Sequence, residues 1–162
     1  MEASEQPAFR IAHVFLDAAE FSHSVEPLSL PPNTPARVGD VDVKVEIGEN
    51  QEGTAGVVRL TVSTNPKNEP IYKFLVRMVC IFEANDPAKG QIGEFLRSAS
   101  PPALLYPFLR EAVANITARG RFGPILLNPY RFTPMVSPSV SSSLSQDSAK
   151  KKTSVRTRRP RR

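Results

Sequence analysis

The sequence predicts an α+β fold: a four-stranded antiparallel sheet with one long and one short helix packed on one face. Three observations carry this. Four runs with period-two patterning come first and helical patterning follows, and such a segregated order places helices against a single sheet. Short turn segments, 49–53 and 65–68, join the second, third and fourth runs, which favours an antiparallel meander. The fourth run is apolar on both faces, so both faces need cover.

Residues 1–8 are expected to form a flexible arm. Residues 9–21 read as the first strand. Phe9, Ile11, His13 and Phe15 alternate with Arg10, Ala12, Val14 and Leu16, and the polar patch at 17–20 marks a bend or bulge. Residues 22–37, SHSVEPLSLPPNTPAR, hold four prolines, which excludes a central strand. This long connection nonetheless carries Val25, Leu28 and Leu30. The second strand, 38–48, is half-buried: Val41, Val43, Val45 and Ile47 point one way, Asp40, Asp42, Lys44 and Glu46 the other. In the third, 54–64, Val58, Leu60 and Val62 oppose Val57, Arg59 and Thr61. In the fourth, 71–82, Tyr72, Phe74, Val76, Met78, Cys80 and Phe82 form a wholly apolar face. Its reverse has Ile71, Leu75, Val79 and Ile81, interrupted by Lys73 and Arg77.

A short helix is expected next, with Asp86 as N-cap, Pro87 at its first position, and Ile92, Phe95 and Leu96 as its apolar face. The main helix lies in 101–130. Ser100 suits its N-cap, and Pro101 and Pro102 suit a first turn whose N–H groups have no intrahelical partner. Leu105, Leu109, Ala112, Val113 and Ile116 recur at helical spacing, and Leu104 and Phe108 widen the stripe. Pro107 requires either a helix that begins near Leu104 or a kink. Gly120 suits a left-handed residue just past the helix end. Residues 122–132 read as extended and punctuated by proline. After Val136 the chain becomes serine-rich and then basic, so 137–162 is expected to be a disordered tail behind a single domain at 9–136.

Charge divides the same way. The net charge is +5, yet 147–162 alone carries eight Lys/Arg against Asp147, a net of +7, leaving the rest at −2. The only cysteine, Cys80, excludes an intrachain disulfide and sits in an apolar strand, where a buried inert thiol is expected. The acidic N-terminus has no signal-peptide core, and no apolar run approaches the roughly 20 residues that span a bilayer, so a cytoplasmic, non-integral protein is expected. His13 and His23, the only histidines, have no partners at metal-ligand spacing. Phosphate-binding, dinucleotide and nucleophile-elbow motifs are absent. No catalytic residue, metal or cofactor is expected, and the protein is not read as an enzyme.

The run LLYPFLREAVANITARGRFGPILLNPYRF resembles the most recognisable segment of the SecB family of protein-export chaperones. The shared features are a hydrophobic-Tyr-Pro-Phe-x-Arg-Glu start and an Ala-Arg-Gly helix end. Phe-x-Pro, a run of aliphatics and x-Pro-x-x-Phe follow. The strand order upstream agrees, so the resemblance spans about 9–135. It implies a homotetramer, built as a dimer of dimers with helices between two sheets. An oligomer interface is then expected on Leu105, Leu109, Val113 and Ile116. It also implies an ATP-independent holdase for unfolded polypeptides, either preproteins bound for translocation or a single client such as the antitoxin of a toxin–antitoxin pair. Clients would lie in apolar grooves walled on one side by Phe21, Val25, Leu28 and Leu30. Tyr106, Phe122, Leu126, Tyr130 and Phe132 would form the other wall.

Two departures count against docking to the translocase motor SecA. Arg77 stands where export-specialised members carry an acidic residue, and Pro134 and Pro138 exclude the usual C-terminal helix. The tail residues Lys150, Lys151, Lys152, Arg156, Arg158, Arg159, Arg161 and Arg162 form a possible anion-binding site. They are read either as a solubilising run or as contacts to nucleic acid, ribosome or an anionic surface. The alternative function is accordingly a nucleic-acid- or ribosome-associated protein acting through this tail.

Overall fold

A computed structural model describes residues 7–24, 29–31, 34, 40–68 and 71–135. Four strands, β1 (Phe9–His23), β2 (Val41–Glu49), β3 (Ala55–Thr64) and β4 (Tyr72–Ala84), form one sheet in the order β1-β4-β3-β2. All neighbours are antiparallel. The long connection after β1 carries the chain across to the far edge, and the meander β2-β3-β4 returns to lie beside β1.

Register sorts the side chains. Leu60 lies opposite Met78, Val62 opposite Val76 and Val58 opposite Cys80. Directly paired residues share a face. This face, with Tyr72, Phe74 and Phe82, is the core face, and it packs against Ile92 and Leu96 of α1 (Ile92–Arg97) and Leu105, Leu109 and Val113 of α2 (Ser100–Thr117). The layout is the expected one: both helices lie on one side of an antiparallel sheet.

β1 holds two bulges, between Leu16 and Ala18 and between Ile11 and His13. The first falls in the polar patch that marked it. The second, at Ala12, corrects the expected alternation. One extra residue moves every following side chain to the opposite face. Ile11 therefore pairs with Phe82, whereas His13 and Phe15 pair with Ile81 and Val79 on the reverse of the sheet.

The ends of the helices also differ from expectation. Asn85, not Asp86, caps the 3-10 turn Asp86–Ala88, its side-chain oxygen accepting from the Ala88 N–H at 3.2 Å. Asp86 instead pairs with Lys89 at 2.6 Å. Ser100 is the first helical residue of α2, and its N–H donates to the Ser98 hydroxyl at 3.3 Å. The helix runs through Pro107 rather than starting near Leu104. Pro107 and Ala103, whose carbonyl the missing N–H would have met, are both exposed, so water can replace that bond.

Gly120 is not left-handed; Gly53, Gly90 and Gly123 are. Glycine is required at 120 for close approach. A Cβ there would collide with the Tyr72 hydroxyl and lie 2.9 Å from the Phe21 ring.

Candidate functional site

Beyond α2 the segment of residues 122–135 contains no helix or strand. It is held at four points. The Phe122 N–H donates to the Tyr72 hydroxyl at 2.6 Å. The Ile125 N–H donates to the buried Thr117 hydroxyl at 2.8 Å, and that hydroxyl donates in turn to the Val113 carbonyl at 2.7 Å. The Tyr106 hydroxyl donates to the Asn128 carbonyl. The Met135 N–H donates to the Arg97 carbonyl at 2.8 Å. A segment fixed in this way presents its side chains alternately. Ile125 and Leu127 are buried, while Leu126 between them is 75% exposed.

Aromatic rings line this segment in two clusters. In the first, Phe21 and His23 from the end of β1 meet Tyr72 of β4, at centroid distances of 5.0 and 5.4 Å, and Phe122 joins Tyr72 at 5.9 Å. Arg121 lies 5.7 Å over the Phe122 ring and donates to the Leu30 carbonyl at 3.4 Å. Leu30 is thereby brought against this cluster. In the second, Phe132 lies 5.6 Å from Tyr106 and 4.8 Å from Tyr130. An open groove of about 520 Å3 runs along Asp40, Val41, Tyr106 and residues 124–130. Its walls are the start of edge strand β2, one face of α2 and the segment after α2.

The predicted groove residues are distributed over these features. Phe21, Leu30 and Phe122 belong to the first cluster; Tyr106, Tyr130 and Phe132 form the second; Leu126 stands out at the groove. Tyr106 is mostly buried and lines the groove, Phe122 is mostly buried in the first cluster and does not line it, and Leu126 and Tyr130 offer open surface there. Val25, Leu28 and the basic tail residues lie outside the described residues. Asp40, Val41, His23, Tyr72 and Pro124 complete the site and were not singled out from the sequence. Strand patterning shows that Tyr72 is apolar-facing, but not that it stands opposite His23.

The residues expected at an oligomer interface are placed elsewhere. Leu105, Leu109 and Val113 have at most 1% of their surface exposed and pack within the protomer against the sheet; Ile116 is partly buried beside them. The large exposed apolar side chains of α2 are Leu104 and Phe108. The helical stripe is wide enough to serve two surfaces, and the sheet takes its centre.

The site offers little acid–base chemistry. Burial pushes the Cys80 thiol up to about 11, far from an activated thiolate. Burial likewise raises the Tyr106 hydroxyl, keeping it a neutral donor. Among the described residues no three His, Cys, Asp or Glu side chains are grouped to hold a metal.

The groove combines apolar contacts, Leu126 and Tyr130 among them, with the polar Asp40 and Asn128. The family profile described as Preprotein translocase subunit SecB matches residues 2–142, and the chain belongs to the SecB family. The "Protein-export protein SecB" of Acidovorax sp. (strain JS42) is 30% identical over 82% of this chain and 88% of its own length. That of Cellvibrio japonicus (strain Ueda107) is 25% identical over 93% of this chain and 89% of its own. Among solved structures, the Mycobacterium tuberculosis Rv1957 SecB-like chaperone in complex with a ChAD peptide from the HigA1 antitoxin shares the fold. Its TM-score is 0.57 at 16% identity, over 75% of this chain and 86% of that one.

Proposed function

We propose that this protein is an ATP-independent holdase that binds extended, non-native polypeptides along the groove between β2, α2 and residues 124–130. The observation that carries this reading is Leu126, an aliphatic side chain held three-quarters exposed between two buried neighbours. A folded chain gains nothing from displaying it, whereas a passing apolar segment gains from covering it. Contacts of this kind add up without sequence readout and tolerate many clients. The names of the relatives support preproteins in export as clients, and the M. tuberculosis complex supports a dedicated client such as an antitoxin.

The active form is a tetramer, a dimer of dimers. Two exposed apolar surfaces support it: Leu104 and Phe108 on α2, and Ile11 and Leu16, which pair with Phe82 and Met78 on the helix side of the long edge strand β1. SecA docking finds less support. The reverse of the sheet pairs its charges within itself, as Arg10–Glu83, Lys44–Glu46 and Arg77–Asp17. The protein acts in the cytoplasm without enzymatic chemistry; among the described residues no helix is long and apolar enough to cross a membrane.

The test is fluorescence anisotropy with a labelled, permanently unfolded polypeptide, with and without ATP. The expected result is saturable binding that ATP leaves unchanged and that a folded control does not compete for. Equal competition by the folded control refutes the reading.

A further inference from the structure

Among the described residues β2 is an edge strand with β3 as its only strand neighbour, so part of its backbone hydrogen-bonding capacity faces outward. It is also the acidic element of the chain. Residues 40–52 hold Asp40, Asp42, Glu46, Glu49 and Glu52 against Lys44 alone, a net of −4. Lys44 sits at 2.9 Å from Glu46, whose carboxyl it holds below the usual range.

The described chain ends beside this strand. Met135 is bonded to the Arg97 carbonyl at 2.8 Å, and the Arg97 guanidinium reaches Glu49, the last residue of β2, at 3.4 Å. Residues 136–162 follow, and 147–162 carry a net of +7. Lys150 is fifteen residues past Met135. That length of chain reaches at most about 50 Å, whereas a nine-residue strand such as β2 is about 30 Å long. The most basic segment of the protein is therefore tethered at one end of its most acidic strand, within reach of all of it.

We propose that the basic tail, Lys150 to Arg162, docks along the acidic edge strand β2 of its own chain and shields it. Tethering supplies the effective concentration and opposite charge supplies the attraction. Asp40 and Val41 line the groove as well as opening β2, so a docked tail lies at the groove mouth and competes with clients. That consequence rests on the chaperone reading; the docking itself does not.

The test is zero-length carbodiimide cross-linking of the full chain with peptide mapping, at about 50 mM and about 500 mM salt, which shortens the screening length roughly threefold. The expected products join Lys150, Lys151 or Lys152 to Asp42, Glu46, Glu49 or Glu52, with yields that fall severalfold at high salt. Equal cross-linking to carboxylates elsewhere, such as Glu20 or Glu111, overturns the proposal, as does the absence of tail cross-links. Mixed-mass products from a blend of isotope-labelled and unlabelled protein would assign the contact to a neighbouring chain and overturn it too. In a second measurement, the eight basic residues of 150–162 are replaced, Lys150→Gln and likewise for the others, in the full-length chain. A tail docked between half and nine-tenths of the time weakens apparent peptide affinity by about two- to tenfold, so the variant should bind the unfolded probe that much more tightly at low salt. Unchanged affinity despite the cross-links overturns the competition. A full chain that cross-links as expected but binds no unfolded probe refutes the chaperone reading and leaves the docking standing.

Discussion

Replacing Leu126 by serine should weaken client binding and leave the fold intact. Side chains alternate between core and solvent over residues 125–127. Leu126 is 75% exposed, while Ile125 and Leu127 are 7% and 5% exposed. Burying a whole leucine side chain against an apolar partner contributes about 1.5–3 kcal/mol. Three-quarters of that surface remains to be covered by a client, so its loss costs about 1–2 kcal/mol of binding. This corresponds to roughly a five- to thirtyfold weaker dissociation constant. Anisotropy titration with an unfolded probe measures the binding, and urea denaturation of the same sample measures the fold. Leu127→Ala is the matched control. It removes buried atoms from the core and should cost about 2–5 kcal/mol of stability. If Leu126→Ser binds as tightly as the parent chain, or unfolds as easily as Leu127→Ala, the assignment of this segment as a groove wall is wrong.

Gly120→Ala should destabilise the protein by about 1–3 kcal/mol, because the added methyl group meets the Tyr72 hydroxyl and the Phe21 ring; an unchanged urea midpoint would contradict the close packing. Leu104→Glu combined with Phe108→Glu should lower the assembly state seen by sedimentation velocity without loss of helix content, and an unaltered oligomer would remove α2 from the interface. Cys80 makes a pH prediction. Its thiol is raised from 9.0 to about 11 in the folded state, so both states are protonated below pH 9. Between pH 9 and 11 only the unfolded chain loses the proton, and stability falls as pH rises. Cys80→Ala should flatten that decline relative to the parent in urea melts at pH 8 and 10.5; equal slopes would place the thiol in contact with solvent.

The sheet was legible because period-two patterning is local. Val41, Val43, Val45 and Ile47 sit on the core side as their spacing implies, and the β4 face from Tyr72 to Phe82 is the heart of the core. The polar patch at 17–20 also revealed one bulge. The other bulge, at Ala12, has no compositional signature, since alanine fits a strand or a bulge equally well. Gly120 was visible as a helix-ending glycine, but its reason is the approach of Tyr72 from a strand far away in sequence. Helical spacing marked the apolar stripe of α2 and could not say which part the sheet would take. Leu105, Leu109 and Val113 went inward, and Leu104 and Phe108 remained outside. Of the aromatics expected at the groove, Tyr106 and Tyr130 line it, while Phe122 packs with Tyr72 and Phe132 with Tyr106 and Tyr130. Their grouping depends on Thr117 and Tyr72 accepting backbone N–H bonds from the segment after α2, and no periodicity encodes those contacts.

The most direct test of the central claim is aggregation suppression. A chemically unfolded protein is diluted into buffer without nucleotide, and light scattering is followed with increasing amounts of the full chain. The groove reading predicts suppression at near-stoichiometric amounts, unaffected by ATP and reduced by Leu126→Ser. Scattering that rises equally with and without the protein, across several unrelated unfolded clients, would mean that the SecB fold is present here without the holding activity.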